Sequence, residues 1–379
     1  MESRSPLRVR AGGMACLILT GLAAPSFAQE FRSFVGATNT LWESPTNWNP
    51  NLVPDSIQEG ARLDNGATVI VGGSHRIFAL EIRGGCSLAL NQSNELSTNT
   101  LAIDGAGTIS GPGSLRLFES GFINDGSGVN FSNVTFRNDG TLDLFTSISL
   151  SPGTVFQNVN TTLIRDNVGI GIASGTGDPP IIVNTGFIRK ETGDGSASIS
   201  ADIDTVLEVA STSGTLTLSG SIDSSGQFRT GVDGTLALAG AITLADGARI
   251  LGDGVTRINS GTITVADGDT AEFDNFEMRG GQILGAGTID YFGTDNIWAS
   301  GTLTGTLTSR VPDGATLSII TQGNGPTIAG SHAIEIQPGG TLSLPNDASR
   351  ITSNGTTTMV NHGTLEFGGD GDISQNGPD

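Results

Sequence analysis

Apolar and polar residues alternate along most of this chain, in runs of four to six positions that glycine interrupts. The stretch Gly234 to Ile289, GTLALAGAITLADGARILGDGVTRINSGTITVADGDTAEFDNFEMRGGQILGAGTI, shows the rule. Leu236 and Leu238, then Ile263 and Val265, stand two apart, with Ala237 or Thr264 between them. Successive side chains on a strand point to opposite faces, so this spacing makes one aliphatic row and one row of small polar groups. Gly240 and the Asp-Gly pairs at 246, 253 and 267 end the runs. Glycine takes positive φ without a Cβ penalty, and Asp bonds its own backbone, so these pairs read as turns. Gly-Thr-(Leu/Ile) opens the stretch at Gly234 and returns at Gly261 and Gly287, two nearly equal steps.

Short strands, glycine turns and a repeat in the mid-twenties predict an all-β fold, a right-handed parallel β-helix, or β-solenoid. Gly-Thr-(Leu/Ile/Val) recurs at irregular intervals as far as Gly363, and Asp313-Gly314-Ala315-Thr316-Leu317 plays the same part. No stretch places apolar residues at i, i+3, i+4 and i+7, and 56 glycines in 379 residues oppose helices. At about 22 residues per coil the repeats fill roughly 14 or 15 coils, a rod on the order of 70 Å long at about 4.8 Å per strand. Leu236, Leu238, Ile263, Val265, Leu317 and Leu342 are expected to point inward. One Cys after residue 28 leaves no Cys–Trp–Cys core for an immunoglobulin-type sandwich. A propeller needs a more even period of about 40 residues with an aromatic marker in each blade.

Residues 1–28 stand apart from this pattern. Arg4, Arg8 and Arg10 precede the apolar run Met14–Ala24, and Ser26-Phe27-Ala28 offers small residues at a cleavage site. The run is too short to span a bilayer, which takes about 20 residues. The reading is a signal peptide cut after Ala28, hence an exported protein, extracellular or at the cell surface, with no transmembrane segment in its mature chain. Removing Glu2 and the three arginines takes the formal charge from −20 to −22, with Lys190 the single lysine. Nucleic acid is a poor partner for such a chain. Only Cys86 survives maturation, at an apolar strand position, so no internal disulfide is available.

Residues 29–60 differ in composition and read as an N-terminal cap, ahead of a β-helix over 61–379. Trp42, Asn47-Trp48, Pro54 and Asp55 precede the first glycine-turn strand, Asn65-Gly66-Ala67-Thr68-Val69. This order resembles the opening of exported bacterial β-helix surface proteins of the autotransporter-like and PEP-CTERM kinds. The resemblance covers about 35 residues strongly and the rest through repeat style. It implies export and a solenoid, and assigns no activity.

Candidate chemistry is sparse. His75, His332 and His362 lie far apart in sequence, without a second His or Cys at zinc-ligand spacing. The polygalacturonase pattern of Asn-Thr-Asp, Asp-Asp, Gly-His-Gly and Arg-Ile-Lys fails in content and order: there is no Asp-Asp, and Ile188-Arg189-Lys190 comes before Asn361-His362-Gly363. Arg189, Lys190, Glu191 and Asp194 form the one cluster of cations with acids, and a solvated loop explains them. Asp267, Asp269 and Asp274, and again Asp370 and Asp372, are spaced as oxygen ligands for calcium, although ordinary turns account for them as well. Tyr291, Asp295, Asn296 and Trp298 form the one aromatic group beyond the cap. Sugar binding and packing inside a wider coil are both open readings of it. The leading expectation is a non-catalytic secreted or cell-surface scaffold, stalk or adhesin. The alternative is a carbohydrate-active protein that binds or cleaves polysaccharide on one face, as a lyase or glycoside hydrolase. Partners are then polysaccharide or other surface proteins, and the strand around Leu365 and Phe367 is a candidate for self-association.

Overall fold

The computed structural model describes residues 30–36, 39–124, 128–322 and 325–375. The signal-peptide reading of residues 1–28 falls outside them. The described chain is a parallel β-solenoid of about 15 turns. Its one helical piece is the 3-10 turn Pro45–Asn47, and no helix among the described residues is long and apolar enough to cross a membrane.

Each coil contributes strands to three stacked ladders. The first face runs from Thr68–Val71 through Ser87–Leu90 and Gly107–Ser110 to Thr341–Leu344 and Thr364–Phe367. The second runs from the start of His75–Arg83 through Val155–Asn158 and Ala241–Leu244 to Asp372–Gln375. The third begins at Glu30–Phe34, passes through Glu59–Leu63, Thr141–Leu144 and Phe187–Lys190, and reaches Thr356–Asn361. Long strands such as Glu208–Leu218 bend round a corner and serve two faces. Leu216 sits over Leu236 and Leu236 over Thr256, so one coil there is the interval from Leu216 to Leu236. The longer steps between Gly-Thr pairs therefore do not measure one coil: Gly234 lies on the first face and Gly261 on the second.

The alternation read from the sequence places the core. Leu236, Leu238, Ile263, Val265, Leu317 and Leu342 are all buried, at 2% exposure or less, in one continuous apolar cluster with Trp42 and Trp48. Phe131, Phe136 and Phe156 stack inside it at 5.1 and 5.3 Å between ring centroids. An interior ladder of asparagines shows how polar groups are accommodated by repeating from coil to coil. Asn138 Nδ2 donates to Asn158 Oδ1 at 3.0 Å, Asn158 Nδ2 to Asn184 Oδ1 at 2.7 Å, and Asn184 Nδ2 to the Thr205 hydroxyl at 2.9 Å. Each Asn also bonds a backbone carbonyl at the next corner, Thr161, Phe187 or Glu208. A buried amide is tolerated when its donors and acceptor are matched, and stacking identical residues in register matches them.

At the N-terminal end Trp42 and Trp48 are fully buried and meet edge to face at 4.7 Å, with Phe34 against Trp48 at 5.2 Å. Trp48 Nε1 donates to the Trp42 carbonyl at 2.6 Å, and Trp42 Nε1 to the Pro54 carbonyl at 3.3 Å. His75 ties this segment to the first coil, with Nδ1 3.0 Å from Asp55 Oδ1 and Nε2 3.1 Å from Glu43 Oε1. Burial would raise the Glu43 carboxyl, but the His75 contact and the Gly72 and Gly73 N–H groups outweigh it and hold Glu43 below the ordinary range.

Candidate functional site

The three outer surfaces differ in chemistry. From Thr68 to Leu218 no strand of the first face carries a charged residue; Ser87, Thr108, Asn130, Ser149 and Thr217 are typical outward positions. The third face holds guanidiniums, carboxylates and aromatic rings together. Register brings this about: Arg62, Glu81, Ala102, Phe122 and Asp143 come into line on successive coils, although the first and last are far apart in the sequence.

A shallow groove of about 570 Å³ crosses that line. Ala79, Thr100, Ser120 and Thr141 form a second line beside the first and make a floor of small side chains. Phe31 lies over Gly60 at one end, in space that any Cβ at Gly60 would occupy. Phe122 is 42% exposed at the centre, and Phe145, at the far end, is 51% exposed. Glu81 Oε2 accepts from Arg62 Nε at 2.7 Å and lies 3.0 Å from Arg83 Nη2. Arg165 grips Asp143 through two N–H groups and sits over the Phe145 ring, 5.5 Å from its centroid, while Arg62 covers Phe31 at 5.2 Å. The hydrogen bond to Glu81 raises the Arg62 guanidinium further, and Asp143 does the same for Arg165. Such pairs recur on the face as Arg189–Glu208, Arg249–Glu272 and Arg310–Asp290, each joining adjacent coils.

Spacing limits what the groove's carboxylates do chemically. Glu81 and Asp143 lie three coils apart, about 14 Å at about 4.8 Å per coil. Glycoside hydrolysis by paired carboxylates needs about 5–9.5 Å. Asp204 and Asp223, stacked directly on the second face, are closer, but they sit exposed on a flat ladder.

The residues singled out from sequence are dispersed. Tyr291 and Trp298 are buried at 3% and 2%, and Asn296 is fully buried. Tyr291 meets Phe273 edge to face at 5.9 Å, and burial pushes its hydroxyl up to about 12. Asn296 accepts from the Phe276 N–H and donates to the Phe292 carbonyl. Neither ring offers a face to a sugar; packing within the coil accounts for these three residues, and Asp295 alone stays outside. Asp267 is exposed at a turn, where the Asp269 N–H closes onto the Ala266 carbonyl. Asp274 lies on the following strand; burial raises its carboxyl, and Asp295 and Asp253 add to the rise. Asp370 receives its coil contact through its N–H, which donates to Asp347 Oδ1 at 3.0 Å, and Asp372 is exposed. Among the described residues no three His, Cys, Asp or Glu side chains converge as a metal site.

Lys190 corrects the solvated-loop reading of its cluster. It is fully buried and donates to the Thr192, Gly193 and Ser213 carbonyls at 2.8–3.0 Å. Burial lowers its ammonium, against the opposing pull of Asp166 and Asp194. Sequence reasoning missed Phe31, Phe122 and Phe145, whose one signal was an aromatic residue at an outward position of an otherwise small, polar row. No family model, curated protein or solved structure matches the chain.

Proposed function

We propose that this chain is a non-catalytic exported scaffold, a rigid spacer at the cell surface that presents an adhesive side. The observation that carries the reading is unbroken stacking: one core and three ladders continue through every described coil, with ion pairs stapling neighbouring coils on the third face. A rod of this kind holds whatever it carries at a fixed distance. Export follows from the charged start and apolar run ahead of Ala28. The test is expression with the native N-terminus in a bacterial host, followed by sequencing of the exported protein and small-angle scattering. Exported material that begins at Gln29 and scatters as a rod about 70 Å long is expected. Retention in the cytoplasm, a compact particle, or release of reducing ends from polysaccharide by the purified chain would overturn the reading.

A further inference from the structure

The geometry points to a ligand for the third-face groove: we propose that it binds a linear neutral glycan lying along the solenoid axis between Phe31 and Phe145. The floor of Ala79, Thr100, Ser120 and Thr141 runs about 14 Å along the axis at about 4.8 Å per coil. That shape suits an extended polymer better than a compact small molecule. Phe122 stands beside this floor with 42% of its surface in water, a cost that an apolar ligand face would relieve. A pyranose ring supplies such a face, and its hydroxyls project at the edges, where Glu81, Arg83 and Asp143 lie.

Charge selects among polymers. The molecule carries a formal −20, so a polyanion approaches against its field. Inside the groove, however, Glu81 is held by Arg62 and Arg83, and Asp143 by Arg165. Pairing fixes these groups in place and neutralises them locally, which leaves oriented donors and acceptors for uncharged hydroxyls. A peptide fits less well. The floor strands spend their own backbone groups on the ladders, so the amides of a peptide would find few partners beyond the Thr100, Ser120 and Thr141 hydroxyls.

This site is separable from the scaffold reading, since a rod can hold its length whether or not the groove takes sugar. The test is calorimetric titration of the full chain with neutral hexasaccharides of glucose, mannose and xylose, with hexagalacturonate and with hexaglutamate. At least one neutral sugar should bind, with a Kd that changes less than about twofold between roughly 50 and 300 mM salt, as uncharged recognition requires. Phe122→Ala should weaken that binding at least tenfold, and Glu81→Gln severalfold. Phe187→Ala, two coils beyond Thr141 on the same face, should leave it unchanged. Phe122 is half in water, so its variant should keep the parent's melting temperature. Binding to none of the neutral sugars, tighter binding of either anionic probe, or full affinity in Phe122→Ala would each overturn the proposal.

Discussion

At the residue scale, the interior polar groups are the ones whose loss should be felt furthest. Asn158 sits between Asn138 and Asn184 and also accepts from the Thr162 hydroxyl at 2.8 Å. Asn158→Ala removes its bonds to Asn138, Asn184, Thr162 and the Phe187 carbonyl at once, each worth about 1 kcal/mol. We expect a loss of about 3 kcal/mol or more in urea unfolding, with faster amide exchange confined to the coils between Asn138 and Thr205. His332 makes a second case. It is 1% exposed, its Nε2 lies 3.2 Å from the Ser309 hydroxyl, and burial lowers its pKa from 6.5 to about 4. The folded state therefore disfavours the proton that the unfolded chain takes up. Stability from this residue is complete above about pH 6.5 and declines as pH falls towards 4, by up to about 3 kcal/mol. His332→Leu should flatten that window, so the difference between wild-type and variant stability should vary with pH inside it and stay constant outside it. Neither role was legible in the sequence. Leu236 could be assigned inward because alternation is local, whereas Asn138, Asn158 and Asn184 are lone polar residues until coil register stacks them.

At the scale of the coil, turn geometry decides how closely neighbours approach. Gly252 has φ +130°, and a Cβ there would fall against the Thr230 carbonyl oxygen of the neighbouring coil. Gly247, earlier in the same coil at φ +79°, has open space around the same position. Gly247→Ala should therefore cost only the left-handed backbone penalty, about 1–2 kcal/mol. Gly252→Ala adds a steric clash and should cost about 3–5 kcal/mol. Equal melting temperatures for the two variants would contradict this ranking. Both glycines look alike in sequence, Gly247 closing one Asp-Gly pair and Gly252 standing directly before the next, Asp253-Gly254. Coil length was hidden for a related reason. Gly-Thr marks the start of strands on different faces, so counting from one to the next passes through a corner as well as a coil. The groove depends on that same register, and so the sequence left its aromatic residues scattered.

At the scale of the whole molecule, ion pairs and aromatic groups run along the third face, while the first face stays neutral from Thr68 to Leu218. The exposed ion pairs contribute little stability individually, about 0–1 kcal/mol each, so raised salt should leave the rod folded. Cohesion comes instead from the shared core, in which each coil touches only its neighbours. Nearest-neighbour cohesion has a mechanical meaning. A coil of about 20 residues adds about 4.8 Å to the height of the stack, yet drawn out straight it reaches about 65 Å. Pulled along its axis, the protein should yield from an end, one turn at a time, in a train of steps of about 60–90 Å that follow coil length, short where Ile203 pairs with Ile222 and long where Gly169 pairs with Ser198. Single-molecule stretching reads this directly, and one rip of the entire chain would disprove it. A tether built this way lengthens more than tenfold under load without letting go, and it recoils onto the turns still standing when the force is released.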